Sequence, residues 1–79
     1  MMTPQAILNY VKAKPFRPFR LHMASGRAFE VRHPEMIKVL KSYVFLFSID
    51  AETPEIFDEW ESVSLPSIES ISYLESQVA

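Results

Sequence analysis

The sequence predicts a small, mainly β domain in which one N-terminal helix is followed by five short strands. Three observations carry this. The chain has 79 residues, 48% of them hydrophobic and 13% aromatic, the composition of an ordered globular chain. Helical spacing of apolar residues occurs once, near the N terminus; beyond it the apolar residues alternate with polar ones or run unbroken over strand length. Prolines and the single glycine then punctuate the chain at short intervals. The length admits one domain, spanning residues 1–79. So short a chain buries only about 60% of the surface that its unfolded form exposes, which favours support from a partner subunit.

The helix is expected over residues 4–13. Thr3 is a good N-cap, and Pro4 suits the first turn, where its missing N–H costs nothing. Ile7, Leu8, Tyr10 and Val11 recur at helical spacing. Lys12 and Lys14 are expected in the last turn, complementing the helix dipole. Pro15 then stops the helix by disfavouring helical backbone at Lys14.

Residues 16–75 are expected to hold the strands. Pro15 and Pro18 keep KPFRPFR extended and bar it from a central strand. Phe19, Leu21 and Met23 alternate with Arg20 and His22, the period of a half-buried strand. Phe29 and Val31 do the same after Ala24-Ser25-Gly26. With Gly26 in the left-handed third position of a three-residue loop, Leu21 faces Phe29, Phe19 faces Val31 and Arg20 faces Glu30. His33-Pro34-Glu35 interrupts the second strand with a bend or bulge. Ser42 to Ile49 is apolar on both faces, so it must be covered twice, by its own core and by a helix or a neighbouring subunit. Asp50 to Glu55 is a polar loop, and Phe57 to Leu65 is a strand. Residues 66–69 form a helical turn, Ile71 to Leu74 the final strand, and residues 76–79 a frayed tail.

Charge is small in total, −2, and uneven in placement. All eight Lys and Arg residues lie in positions 1–41 against two acids, giving +6; positions 42–79 hold eight acids and no cation, giving −8. Three readings stay open. Elements of one fold exchange ion pairs; the basic half of one subunit faces the acidic half of the next; or the basic half meets an anionic polymer.

Several functions are disfavoured by what the sequence contains. Without cysteine there is no thiol nucleophile, disulfide or thiolate metal site. His22 and His33 have no acid at helical metal spacing, so no metal or other cofactor is expected. Ser25 and Ser42 have no recognisable activating context, and the acids cluster in a loop and on one strand; no catalytic residue is assigned. The N terminus has no apolar stretch of signal-peptide type, and no run reaches the roughly 20 residues of a membrane span, so a cytoplasmic protein without membrane contact is expected.

The hairpin FRLHMASGRAFEV, the apolar strand VFLF and the closing stretch VSLPSIESISYL together resemble the Sm-like fold, a five-stranded SH3-like small barrel. The resemblance covers about residues 4–75. It implies a helical turn between the fourth and fifth strands, Ile68 and Ile71 as a buried pair, and homo-oligomers joined through those two strands. The chain also resembles small uncharacterised bacterial proteins that begin with a KPFRPF-like segment and carry HPE after the first hairpin. It departs from the Sm-like pattern in three places. The bend of the second strand falls at His33-Pro34 instead of at a glycine. VLKSY stands where the RNA-binding loop has Asp and Asn, and Val63-Ser64-Leu65-Pro66 replaces the Tyr-Lys-His signature of the bacterial RNA chaperone.

Two functional readings follow. In the first, the chain is a non-catalytic, self-associating binding or scaffold module that contacts RNA through its basic half. Phosphate contacts and base stacking would fall to Phe16, Arg17, Arg32, Lys38 and Lys41. Phe19 is expected in the core and Arg20 paired with Glu30, so neither is counted. In the second, it is an SH3-like adaptor for an unidentified protein partner, binding through Phe45, Phe47 and Trp60. The competing reading for Trp60 is a core residue, and for the basic residues a surface facing an acidic neighbour.

Overall fold

The computed structural model describes residues 2–49, 52–53 and 56–74. The loop expected at 50–55 falls largely outside the described residues, and the tail at 76–79 wholly so.

Helix α1 (Pro4–Val11) starts as its sequence dictates: Thr3 Oγ1 accepts a hydrogen bond from the Ala6 N–H at 3.1 Å, and Pro4 opens the first turn. It ends two residues earlier than expected. Lys12 is the C-cap, its N–H donating to the Leu8 carbonyl at 2.8 Å, so no cation lies in the last turn. Ile7 is fully buried and fixes the helix to the core.

Six strands follow among the described residues: β1 (Phe19–Met23), β2 (Ala28–Val31), β3 (Ile37–Val39), β4 (Tyr43–Ile49), β5 (Phe57–Ser64) and β6 (Ile68–Tyr73). The fold is mainly β. These strands form two three-stranded sheets, β2-β1-β6 and β3-β4-β5, not a closed barrel. The count exceeds the expected five because Pro34 breaks the second strand outright. Pro34–Met36 forms a 3₁₀ turn, closed by the Met36 N–H on the His33 carbonyl at 3.0 Å. A proline at the first position of such a turn needs no hydrogen-bond partner, whereas inside a ladder it would leave one unmade.

The β1–β2 hairpin has the expected register, with Phe19 opposite Val31, Arg20 opposite Glu30 and Leu21 opposite Phe29. Gly26 has φ +97°, and its N–H donates to the Met23 carbonyl at 2.9 Å. Along β1 the apolar residues are buried and Arg20 and His22 half-buried, as the period requires. A second 3₁₀ turn, Leu65–Ser67, joins β5 to β6. It lies earlier than the expected 66–69 turn, and the final strand therefore begins at Ile68 and not at Ile71. Ser67 Oγ donates to the Ser64 carbonyl at 2.7 Å, and the Ser67 carbonyl accepts the Ala24 N–H at 2.9 Å. The turn is thus tied both to itself and to the first hairpin.

The core gathers Ile7, Phe19, Leu21, Met23, Val31, Ile37, Val44, Leu46, Val63, Leu65 and Ile68. It draws on the helix and on every strand. No buried polar or charged residue is found among the described residues, so the interior demands no compensating hydrogen bonds. Ile68 is buried as expected, but Ile71 is only half-buried.

Candidate functional site

Strand β4 separates the core side of the second sheet from its outer side. Val44 and Leu46 point into the core, and Tyr43, Phe45 and Phe47 point out. Side chains alternate across a strand, so cross-strand partners share a face. The register puts Lys38 opposite Phe45, and Phe47 opposite Trp60. The outer face of β3-β4-β5 therefore carries Lys38, Tyr43, Phe45, Phe47 and Trp60 together. Tyr43 is 49% exposed and Trp60 63%. Phe45 and Phe47 are half-buried. The Trp60 ring meets Phe45 nearly edge-on, at 5.4 Å between centroids and 71° between planes, a favoured aromatic geometry. The alternative reading of Trp60 as a core residue is thus corrected: it stands on the outside of its sheet.

The expected double cover of β4 is only half met within one chain. The core covers its inner face, while α1 packs into the core through Ile7 and contacts the second sheet chiefly at β3. Among the described residues Tyr43 and Trp60 stay exposed on the outer face.

The basic candidates do not converge. Phe16 is half-buried, packed on the core with its ring 6.0 Å from that of Phe19. Arg17 is exposed, its guanidinium carbon 3.8 Å from the centroid of the Tyr73 ring at the end of β6. Arg32 donates to Glu30 Oε1 at 2.8 Å, and Arg20 donates to the other oxygen, Oε2, at 2.7 Å. Hydrogen bonds from Arg20 and then Arg32 hold the Glu30 carboxyl below its ordinary pKa. Of the five, only Lys38 and Lys41 share one hairpin, with Lys41 exposed in its turn. Phe16 thus packs partly on the core, while Arg32 is paired with Glu30 and still well exposed.

Among the described residues one ion pair crosses between the basic and acidic halves of the sequence: Arg27 donates to both carboxylate oxygens of Glu61, at 3.2 and 3.3 Å. Both side chains are well exposed, and such a pair stabilises by a few tenths of a kcal/mol to about 1.

Sequence reasoning missed a second feature. Between the β1–β2 hairpin and the β4–β5 strands lies a groove of about 210 Å³. Phe29, Met36, Leu46 and Trp60 line it with Glu59 and Glu61, and no Lys or Arg lines it. The signal was present in DEWES, where acids alternate with Trp60 along one strand; what faces them across the gap was not.

His22 Nε2 lies 2.7 Å from Ser72 Oγ across the β1–β6 pair. Among the described residues neither has an acid in hydrogen-bond contact. Among the described residues no three His, Asp or Glu side chains come close enough to hold a metal ion, and no helix is long and apolar enough to cross a membrane. No protein-family model, curated protein or solved structure matches this chain.

Proposed function

We propose that this protein is a non-catalytic, Sm-like or SH3-like small-barrel module that self-associates and serves as a binding or scaffold element. The observation that carries the reading is the outer aromatic face of β4 and β5, where Tyr43 and Trp60 are 49% and 63% exposed beside the half-buried Phe45. A monomer gains nothing from wetting contiguous aromatic side chains, and such patches mark contact surfaces. The strand order supports the barrel part of the reading. It runs β6-β1-β2, passes through the Pro34–Met36 turn, and continues β3-β4-β5, with a single 3₁₀ turn linking the two ends. Among the described residues β2, β3, β5 and β6 are each paired on one side only, and open strand edges accept further strands.

The test is native mass spectrometry and sedimentation of the full chain, purified without nuclease. A discrete multiple of the 9.2 kDa chain mass, lost on Tyr43→Ser with Trp60→Ser while circular dichroism stays native, supports self-association through this face. A monomer at every concentration overturns it, and one stoichiometric foreign protein on the same face moves the adaptor reading to first place.

A second reading, RNA contact, draws support from Lys38 and Lys41 lying on the same hairpin as Tyr43 and Phe45. Cations and aromatic rings in that arrangement serve phosphate contact and base stacking. Affinity for single-stranded RNA that falls linearly with log salt, and is lost on Lys38→Glu with Lys41→Glu, supports it. Salt-independent or undetectable binding refutes it.

A further inference from the structure

The two sheets meet along a seam between β2 and β5, and among the described residues no strand pairing crosses it. Backbone pins its ends. At one end the Ala24 N–H donates to the Ser67 carbonyl at 2.9 Å; at the other the Pro34–Met36 turn carries the chain from β2 to β3. Between the pins lie two hollows. The groove of about 210 Å³ includes Met36 and Leu46, and a second hollow of about 240 Å³ includes Met23, Ser25 and Ser67. Phe29 and Glu61 line both, so they form the neck between them. Arg27 lies across that neck. Its guanidinium carbon stands 4.8 Å from the centroid of the Phe29 ring, and its two terminal nitrogens donate to the Glu61 carboxylate.

We infer that Arg27 and Glu61 form a strap that closes this seam over Phe29 and releases when the pair is screened. The strap starts on the hairpin of the first sheet and is anchored on the second, tying layers that their strands leave unpaired there. Its anchor is loose. The contacts of 3.2 and 3.3 Å exceed the 2.7 Å from Arg20 to Glu30 and the usual charge-assisted range of about 2.7–2.9 Å. Both side chains are open to solvent, 62% and 44% exposed. A pair so placed biases an equilibrium by a factor of about five at most, and salt weakens it. Beneath it the lining is apolar: Phe29 and Met36 are half-buried and pack against the core. With the anchor lost, the Arg27 side chain swings into solvent and the neck opens, so the two hollows become one groove. Stacking on Phe29 alone is the competing way to hold Arg27 in place. The strap works within one chain, so it stands or falls independently of self-association.

Solvent accessibility measured by NMR tests this in the full chain, with a neutral gadolinium chelate as the probe. The Met36 and Met23 methyls report on one hollow each, and the Phe29 ring on the neck. The methyls of Leu21 and Val44, both fully buried, report on the core. Glu61→Gln removes the anchor and leaves Arg27 in place, whereas Arg27→Ala removes the strap. Glu61→Gln is expected to raise the probe's relaxation of the Phe29 ring and the Met36 methyl about two- to fivefold, near the level in Arg27→Ala. Wild type taken from about 50 to about 500 mM salt is expected to shift the same way, while Leu21 and Val44 stay unchanged. A rise in Arg27→Ala with none in Glu61→Gln or in salt overturns the inference, since stacking then holds Arg27 without an anchor. No rise in either variant also overturns it, because the strap then does not govern the seam. A rise that includes Leu21 and Val44 is general loosening of the fold and overturns it too.

Discussion

Replacing Phe19 by alanine tests the division of this molecule into a core side and an open aromatic side. Phe19 is the largest fully buried side chain among the described residues. Its ring lies 5.4 Å from Tyr10 of α1 and 6.0 Å from Phe16 of the arm between α1 and β1, and its backbone stands opposite Val31 of β2 and Tyr73 of β6. Removing it takes away the contact shared by helix, arm and first sheet. A buried Phe→Ala change costs about 3–5 kcal/mol, the lost transfer energy plus the cavity left behind. A 79-residue domain has a total of about 4–12 kcal/mol, so the variant is close to unfolding and its Tm falls by about 15 °C or more. Trp60 is larger but 63% exposed. Trp60→Ala loses mainly the edge-on contact with Phe45, about 1 kcal/mol. Urea unfolding followed by far-UV circular dichroism serves both variants, since one of them lacks the tryptophan. Runs at several protein concentrations separate folding from association. If Trp60→Ala costs as much as Phe19→Ala in dilute monomer, or if Phe19→Ala costs less than about 1 kcal/mol, the assignment of core and open face is refuted.

Three further outcomes follow from local geometry. Gly26→Ala should cost about 1–2 kcal/mol from backbone strain alone, because φ is +97° and a Cβ there would touch nothing within 4 Å; an unchanged Tm would refute the loop assignment. Thr3→Ala should remove about 1 kcal/mol by deleting the cap on the Ala6 N–H, while Thr3→Ser should restore it in the same thermal melt. Glu30 supplies a pH dependence. Its folded pKa is lowered, so its contribution is fully present above the unfolded carboxylate value and is lost as pH falls through the folded one. Tm measured across the acid range below about pH 4.5 should therefore fall less steeply in Glu30→Gln than in wild type, and parallel curves would dismiss the Arg20–Glu30–Arg32 clamp as a contributor.

The features read correctly from the sequence share a short reach along the chain. Thr3 and Pro4 specify a helix start within four residues. The β1–β2 register depends on one alternating pattern, one glycine and one charge pair, all within residues 19–31. Errors arose where an element's end depends on distant contacts. The last 3₁₀ turn lies at Leu65–Ser67 because Leu65 is drawn into the core and its N–H bonds the Ser42 carbonyl at 2.9 Å; Pro66 alone marks a turn without saying which residue opens it. The break at Pro34 was legible as an interruption, yet only the packing of two separate sheets makes it a division between strands.

The candidate site was legible as a set of residue types and not as a place. SYVFLFSI carries apolar residues on both sides, Val44 and Leu46 on one and Tyr43, Phe45 and Phe47 on the other, so period alone cannot say which face is buried. That choice falls to Val44 and Leu46 because the core from α1, β1 and β2 meets them, and Tyr43, Phe45 and Phe47 are left outside. The same holds for the charges. Their asymmetry along the sequence is plain, but Arg20 and Arg32 share Glu30 from their own half, while Arg27 reaches across to Glu61. Sequence by itself determined the helix start, the first hairpin and the mainly β class, since backbone propensity and side-chain alternation act between near neighbours. Tertiary structure decided which aromatic face stays open and which charges remain unmatched, since burial and ion pairing depend on residues that only folding brings together.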